Sequence, residues 1–159
     1  MHTFFLYFYY KEYKMKPQDT VDFHIRWSWH NISSMYNMKA SEFEGTMAIG
    51  YTLLNIDKEG TPSTKLGPKM GMEPRSLTRM IKSLEEKGLI ERKSDNNDKR
   101  MVNLFLTEKG KDWRKKARAY VIHFNEKVSE KIDAKEIKTC FKVLQEINEI
   151  IDDNNIFNN

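Results

Sequence analysis

The spacing of apolar residues changes at Gly88, and this change limits what the chain can fold into. Before Gly88, the residues Leu77, Ile81 and Leu84 recur at three- and four-residue intervals, as on one face of a helix. After it, apolar residues alternate in "LIERK" and again in "MVNLFL", which is typical of strands. The polar segment "SDNNDKR" lies between these runs and favours a hairpin turn. The sequence therefore predicts a helix followed directly by a β-hairpin with a charged, exposed tip.

A second, shorter helix is predicted immediately before this one. Thr61 and Pro62 suit the N-cap and the first helical position, and "STKLGPKMG" gives a short helix that ends at Gly71. An interior proline costs about 3 kcal/mol, so Pro68 leads us to expect a helix that is short, kinked or partly 3₁₀. Pro74 suits the first position of the longer helix. Two helices joined by so tight a turn predict a helix-turn-helix.

Amphipathic helices are predicted on both sides of this core. Residues 19–38 and the segment after residue 40 have helical character, and two long helices follow the hairpin. The expected capping residues are Asp19 or Thr20, Ser41 with Glu44, Thr107, and Asp133 with Glu136. Gly110 is expected to weaken its helix by about 1 kcal/mol. The helices carry more apolar surface than one chain of this size can cover, which favours a helical dimer interface.

The distribution of charge indicates a polyanionic partner. The net charge of the chain is only +4. Residues 61–118, however, hold 16 Lys and Arg against 8 Asp and Glu, a local net charge of +8. Such clustering is most often found in proteins that bind nucleic acid, although a solvated charged face would look similar.

These features predict a mainly α-helical chain with a small β-hairpin wing, an α+β fold with a winged helix-turn-helix core between dimerisation helices. The expected divisions are an arm at 1–18, N-terminal dimerisation and core helices at 19–58, a DNA-binding core at 59–107 and C-terminal dimerisation helices at 108–159. The aromatic segment "MHTFFLYFYY" is best explained as a start-site artefact, with initiation at Met15. An arm that packs on a partner subunit is the alternative, and a membrane role is the least favoured.

The remaining composition argues against catalysis, metal binding and a membrane location. A single cysteine, Cys140, allows no internal disulfide, so a reducing compartment and hence the cytoplasm is expected. We expect Cys140 to be a buried packing residue. The histidines are scattered, and neither a nucleophile constellation, a metal site nor a cofactor-binding loop is recognisable. No apolar run is long enough for a transmembrane helix.

Residues 66–110 resemble the winged helix-turn-helix core of the MarR family, the multiple antibiotic resistance regulators. The matching residues of the first turn are Leu66, Met70 and Gly71. Those of the recognition helix and the following strand are Leu84, Glu85, Gly88, Leu89, Ile90 and Arg92. Those of the wing and beyond are Asp98, Arg100, Leu106, Thr107 and Gly110. Gly67 and Pro68 depart from the alanine-containing pattern of the family. This departure affects the expected geometry of the first helix of the motif and not the family resemblance.

Two groups of residues are expected to contact double-stranded DNA. A helix fits the major groove, where residues near its N-terminus reach base edges. The candidates on the recognition helix are Arg75, Ser76, Thr78, Arg79 and Lys82. A wing beside that helix lies over the minor groove, whose negative potential attracts arginine. The candidates on the wing are Arg92, Lys93, Asp98, Lys99 and Arg100, with Asp98 expected to orient a basic neighbour.

The resemblance also implies regulation by a small ligand. It implies a homodimer that represses or activates transcription and changes its DNA affinity when a ligand, often aromatic or phenolic, binds between the dimerisation helices and the winged core. The candidate pocket residues are Trp27, His30, Met47 and Tyr51, although ordinary core and interface packing is the favoured explanation for them. The rival function is a winged-helix protein-interaction module without sequence-specific DNA binding. It is disfavoured because protein interfaces are depleted in lysine.

Overall fold

The computed structural model describes residues 15–94, 101–152 and 156. Within them, a 3₁₀ turn (Pro17–Asp19) precedes six α-helices and three strands. The helices are α1 (Val21–Ser41), α2 (Met47–Leu54), α3 (Ser63–Met70), α4 (Pro74–Glu86), α5 (Glu108–Ser129) and α6 (Ala134–Asp152). The strands are β1 (Thr61–Pro62), β2 (Ile90–Ser94) and β3 (Val102–Leu106). The predicted fold class, mainly α with a small β wing, is confirmed.

The antiparallel sheet contains one strand that the sequence did not reveal. Its order is β1-β3-β2, with Thr61 opposite Leu104 and Pro62 opposite Asn103. The prediction that Thr61 and Pro62 cap and open α3 was therefore wrong. The Thr61 hydroxyl instead donates to Asp57 Oδ2 at 3.3 Å and accepts from the Asp57 amide at 2.9 Å. This local loop and the pairing with β3 hold the segment extended.

Helix α3 is short, as predicted, and it is α-helical throughout rather than 3₁₀. Pro68 lies inside it, and Gly71 ends it in the left-handed conformation, with φ of 60°. At Gly67, α3 lies close to α4 and to the turn between them. A β-carbon there would lie 3.2 Å from the Leu77 side chain and 3.3 Å from the Met72 carbonyl oxygen. Glycine at position 67 thus permits the tight helix-turn-helix.

A single apolar core holds α2, α3, α4 and the sheet together. Its fully buried side chains are Leu53, Ile56, Leu66, Leu84, Leu89 and Leu104. Trp113, from the first turns of α5, closes the core and makes an edge-to-face contact with Phe43, with ring centroids 5.0 Å apart. Burial of each such side chain contributes about 1.5–3 kcal/mol. The core therefore fixes the recognition helix α4 against the wing strands.

The predicted start of the second helix was also wrong. Ser41 is the last residue of α1, and Glu44 lies in the connecting turn with φ of 58°. Thr46 caps α2 instead, since its hydroxyl accepts from the Ile49 amide at 3.2 Å. The predicted Thr20 cap of α1 is confirmed, because the Thr20 hydroxyl accepts from an amide of the first turn.

The chain divides into two compact units, Met1–Arg114 and Lys115–Asn159. In the second unit, α6 begins with the predicted capping box. The Asp133 amide donates to Glu136 Oε2 at 3.2 Å, and Asp133 Oδ1 accepts from the Lys135 amide at 2.7 Å. No residue of α6 is buried, and Cys140 is exposed, so the expectation that it packs in the interior was wrong. None of the described helices combines the length and apolar composition needed to cross a bilayer.

Candidate nucleic-acid interface

Helix α4 has two chemically different sides. Leu77, Ile81 and Leu84 are buried in the core, as their spacing predicted. The candidate DNA-contacting residues of this helix are all exposed, namely Arg75, Ser76, Thr78, Arg79 and Lys82. Pro74 stands at the first helical position, and the C-terminal turn passes through Gly88 with φ of 66°. The structure thus brings the five candidates together on the solvent side of one helix.

The two arginines of α4 are available for a ligand. Within residues 15–94, 101–152 and 156, no hydrogen bond or ion pair engages the guanidinium of Arg75 or of Arg79. Lys82 lies 3.8 Å from Glu86 in an exposed pair within the helix, which is worth little because water screens both charges. The Thr78 hydroxyl donates to the Pro74 carbonyl at 2.9 Å and keeps its acceptor capacity.

The two described wing candidates lie on opposite faces of the sheet. Arg92 is opposite buried Leu104, on the face towards the helices, and its Nη2 lies 2.6 Å from Glu85 Oε2. Lys93 is on the other face, 2.7 Å from Glu91 Oε1 and 5.0 Å from the centroid of the Phe105 ring. Both cations are therefore already partnered within the protein. The contacts of Arg92 with Glu85 and of Lys93 with Phe105 depend on how β2 packs and pairs, which the sequence does not show.

The other wing candidates, Asp98, Lys99 and Arg100, lie outside the described residues. The described strands end at Ser94 and resume at Val102, which are paired with each other. The predicted contact of the wing tip with DNA therefore stays a prediction.

The C-terminal end of α4 is tied to the start of α5. The Thr107 hydroxyl donates to the Gly88 carbonyl at 2.7 Å, and the Thr107 amide donates to the Leu89 carbonyl at 3.1 Å. Lys109 Nζ donates to the Lys87 carbonyl at 2.9 Å. These bonds join the C-cap residue Lys87 of α4 and the two residues after it to the start of α5. The Thr107 side chain also caps α5, as predicted, by accepting from the Gly110 amide at 3.0 Å.

Two of the four candidate pocket residues lie side by side on α1. The rings of Trp27 and His30 stack with centroids 5.7 Å apart, and Phe23 stacks on the other side of Trp27 at 6.4 Å. Tyr51 is exposed on α2, and no described ring contact joins it to the α1 stack. Met47 is half-buried at the start of α2, where its amide donates to Asn37 Oδ1 at 2.9 Å.

A cavity of about 600 Å³ lies elsewhere, between α3, α4 and β2. Its walls include Thr64 and Gly67 of α3, Leu77 and Ile81 of α4, and Arg92 of β2. None of the four candidate pocket residues lines it. The structure thus provides a concave site beside the N-terminal half of the recognition helix, with the DNA-contact candidate Thr78 in its wall, at a place that the sequence did not indicate.

The described residues offer no metal-binding cluster. In the part of the chain that the structure describes, no three His, Cys, Asp or Glu residues are grouped to hold a metal ion. Burial raises the pKa of the Tyr36 phenol above its ordinary value of 10.0.

Comparisons with known proteins agree with this geometry. The sequence model of the MarR family matches residues 52–102. The HTH-type transcriptional regulator SarZ of Staphylococcus saprophyticus is 32% identical over 110 residues, which cover 66% of this chain and 75% of SarZ. The DNA complex of MepR from S. aureus has a TM-score of 0.76 at 18% identity, covering 83% of this chain and 98% of MepR. PcaV from Streptomyces coelicolor, in complex with its natural ligand, has a TM-score of 0.73 at 17% identity, covering 86% and 97%.

Proposed function

The chain belongs to the MarR family of DNA-binding transcriptional regulators, and we propose that it works in the cytoplasm as a homodimeric, ligand-responsive repressor of a pseudo-palindromic operator. It is a regulator and not an enzyme. The observation that carries the proposal is that Arg75 and Arg79 are exposed and have no partner among the described residues, on a helix whose other side is buried in the core. A dimer that occupies an operator excludes other proteins from it, so repression is the simplest direction of control.

Docking of α4 in the major groove follows from the chemistry of its exposed side. Arginine is the best reader of guanine, because its planar fork matches the O6 and N7 acceptors. Arg75 and Arg79 lie in the N-terminal half of α4, where residues of a recognition helix reach base edges. Lys82 lies nearly one turn further on and suits a phosphate contact. Ser76 and Thr78 are placed to hydrogen-bond base edges or phosphates. Asp98, Lys99 and Arg100 keep their predicted role at the minor groove.

Dimerisation is supported by the apolar surface of α6. Phe141, Leu144, Ile150 and Ile151 are all exposed in the single chain. Exposed apolar patches of this kind mark interaction sites in soluble proteins, because leaving them in water is unfavourable. A two-fold dimer would present two copies of α4 to half-sites about 34–36 Å apart, which is one helical turn of DNA.

Substitution of Arg79 by alanine tests the recognition role of α4. We expect operator affinity to fall by about 1–3 kcal/mol, and base preference to be relaxed at one position of each half-site, because the bidentate contact is lost. Selection from random duplexes, followed by fluorescence anisotropy, measures both effects. Arg26→Ala, which removes an equally exposed arginine from α1, is the matched control and should leave the selected motif unchanged. An unaltered motif in Arg79→Ala would contradict the assignment.

The rival function, a protein-interaction module, predicts a different result in the same assay. Such a module would bind duplexes without sequence preference, and selection would return no motif for the wild-type protein. The basic character of residues 61–118, with a local net charge of +8, favours the DNA-binding function, since lysine is depleted at protein interfaces.

Ligand control is proposed at the aromatic stack of α1. Trp27 and His30 give a planar surface suited to a small aromatic or phenolic ligand, with Met47 and Tyr51 on the neighbouring helix. In a thermal-shift screen of small aromatic acids, a ligand at a hundred times its Kd adds about 2.7 kcal/mol, or about 5–10 °C in Tm.

The expected result is that Trp27→Ala abolishes the ligand-induced shift, whereas Trp29→Ala retains it. Trp29 is the matched control, because both tryptophans are 58% exposed on α1 and only Trp27 belongs to the stack. If Trp27→Ala keeps the full shift, the stack is not the site, and the cavity between α3, α4 and β2 takes its place.

A further inference from the structure

The ion pair between Glu85 and Arg92 joins the recognition helix to the first strand of the wing. Arg92 Nη2 and Glu85 Oε2 are 2.6 Å apart, which is a close ion pair. Glu85 lies in the last turn of α4, and Arg92 is the third residue of β2. The pair therefore spans the turn through Gly88 and ties together two elements that meet DNA at different grooves.

The register of the sheet explains why Arg92 reaches the helix. Arg92 is opposite Leu104, whose side chain is fully buried, so both point towards the core side of the sheet. Its neighbours Glu91 and Lys93 point to the other side. The Arg92 guanidinium is thus directed at α4, and Arg92 also forms part of the wall of the cavity between α3, α4 and β2.

Interactions within α4 do not explain why a carboxylate is present at position 85. A carboxylate in the last turn of a helix opposes the helix dipole, and α4 has no basic residue in that turn to offset it. Glu86, next to it, is 65% exposed and pairs only with Lys82 of the same helix, whereas Glu85 is 32% exposed and pairs with the sheet. The favourable interaction of Glu85 is therefore the one with Arg92.

We infer that Glu85 and Arg92 are positioning residues that set the wing relative to α4, and that Arg92 is not a phosphate contact. This inference rests on the proposed DNA-binding function. The Arg92 charge is already neutralised by Glu85, so bringing a phosphate to it requires breaking the pair. The role of the pair is to hold the two DNA-contacting elements at one spacing, so that both grooves are engaged together.

Glu85→Gln distinguishes positioning from electrostatics by the sign of its effect. Removing a carboxylate from a DNA-binding surface should tighten binding if only charge mattered. Positioning predicts the opposite, a roughly three- to tenfold weaker operator affinity, comparable to the coupling of contacting residues. The slope of log affinity against log salt should stay that of the wild type, because no phosphate contact is lost. Glu86→Gln is the matched control, and it should bind as the wild type does or slightly more tightly.

The charge-swapped variant Glu85→Arg/Arg92→Glu distinguishes a positioning role of Arg92 from a phosphate contact. It restores the ion pair while placing a carboxylate at position 92, where a phosphate contact would be repelled. We expect it to recover most of the affinity that Arg92→Gln loses, with circular dichroism confirming that each variant is folded. If the swapped variant binds no better than Arg92→Gln, or if Arg92→Gln flattens the salt slope by about one unit, the positioning role is overturned. Failure of the wild type to select any operator would instead refute the proposed function.

Discussion

Replacing Phe141 of α6 by aspartate is expected to turn the proposed dimer into monomers and to lower operator affinity at least about a hundredfold, because the linked second half-site is lost. Phe141 is 63% exposed in the single chain and lies on the same stripe as Leu144 and Ile151. A carboxylate at the centre of that stripe would have to be dehydrated without a counter-charge, which opposes association. The mass of the variant by light scattering and its affinity by fluorescence anisotropy measure the two effects.

Lys142→Asp is the control for this experiment. It introduces the same carboxylate one residue further along α6, on the polar side of the helix, where Lys142 lies 3.5 Å from Glu146. This variant should remain dimeric and should bind the operator with affinity close to that of the wild type. A wild-type protein that is monomeric at micromolar concentration, or a dimeric Phe141→Asp variant, would show that α6 is not the dimer interface.

The elements that the sequence predicted correctly are those whose signals are local. The stripe of Leu77, Ile81 and Leu84, with Pro74 and Gly88 at its ends, defines α4 without reference to the rest of the chain. Alternation along β3 correctly placed Leu104 in the core. For α4, the apolar spacing agrees with the backbone preferences of Pro74 and Gly88. For β3, the alternation alone identifies the strand and its buried face.

The errors occurred where tertiary contacts decide the backbone. A strand of two residues, such as Thr61 and Pro62, has no periodicity, and only its pairing with β3 defines it. The spacing of Ser41 and Glu44 fits a capping box, yet α1 runs on through Ser41 because the turn before α2 is made by Glu44 in a left-handed conformation. Neither the strand at Thr61 and Pro62 nor the continuation of α1 through Ser41 is indicated by the local sequence, which favours a helix start at both places.

The candidate site was predictable to the same extent. Exposure of Arg75 and Arg79 follows from the helical spacing of their apolar neighbours, which the sequence shows directly. The pairing of Arg92 with Glu85 depends on the register of β2 and on the packing of α4, so the sequence could count the arginine as a basic wing residue but not assign its partner. The one available signal is the uncompensated acidic residue near the end of α4.

Gly110→Ala is expected to destabilise the protein, although the intrinsic preference of helices predicts the opposite. Alanine is favoured over glycine within a helix by about 1 kcal/mol, and Gly110 lies in the first turn of α5. A β-carbon at position 110 would, however, overlap the carbonyl oxygen of Leu89. That oxygen accepts the Thr107 amide at 3.1 Å and belongs to a fully buried residue, so it cannot move without disturbing the core. The sequence indicated a weak point in the helix, whereas the structure shows a position where only glycine fits.

The steric overlap at position 110 costs more than the helix propensity of alanine gains. Moving α5 away from β2 to relieve it would also strain the hydrogen bonds that Thr107 and Lys109 make to the residues after α4. We expect a net loss of about 2 kcal/mol or more, and a Tm lower by about 4–8 °C. Gly71→Ala is the control, since its β-carbon would meet no atom within 4 Å and its cost is confined to φ of 60°, or about 1–2 kcal/mol. A Gly110→Ala protein that melts at or above the wild-type temperature would contradict the close approach of α5 to Leu89. In the expected case, operator affinity measured well below the Tm should also fall, because Thr107 and Lys109 would no longer hold the recognition helix at its C-terminal end.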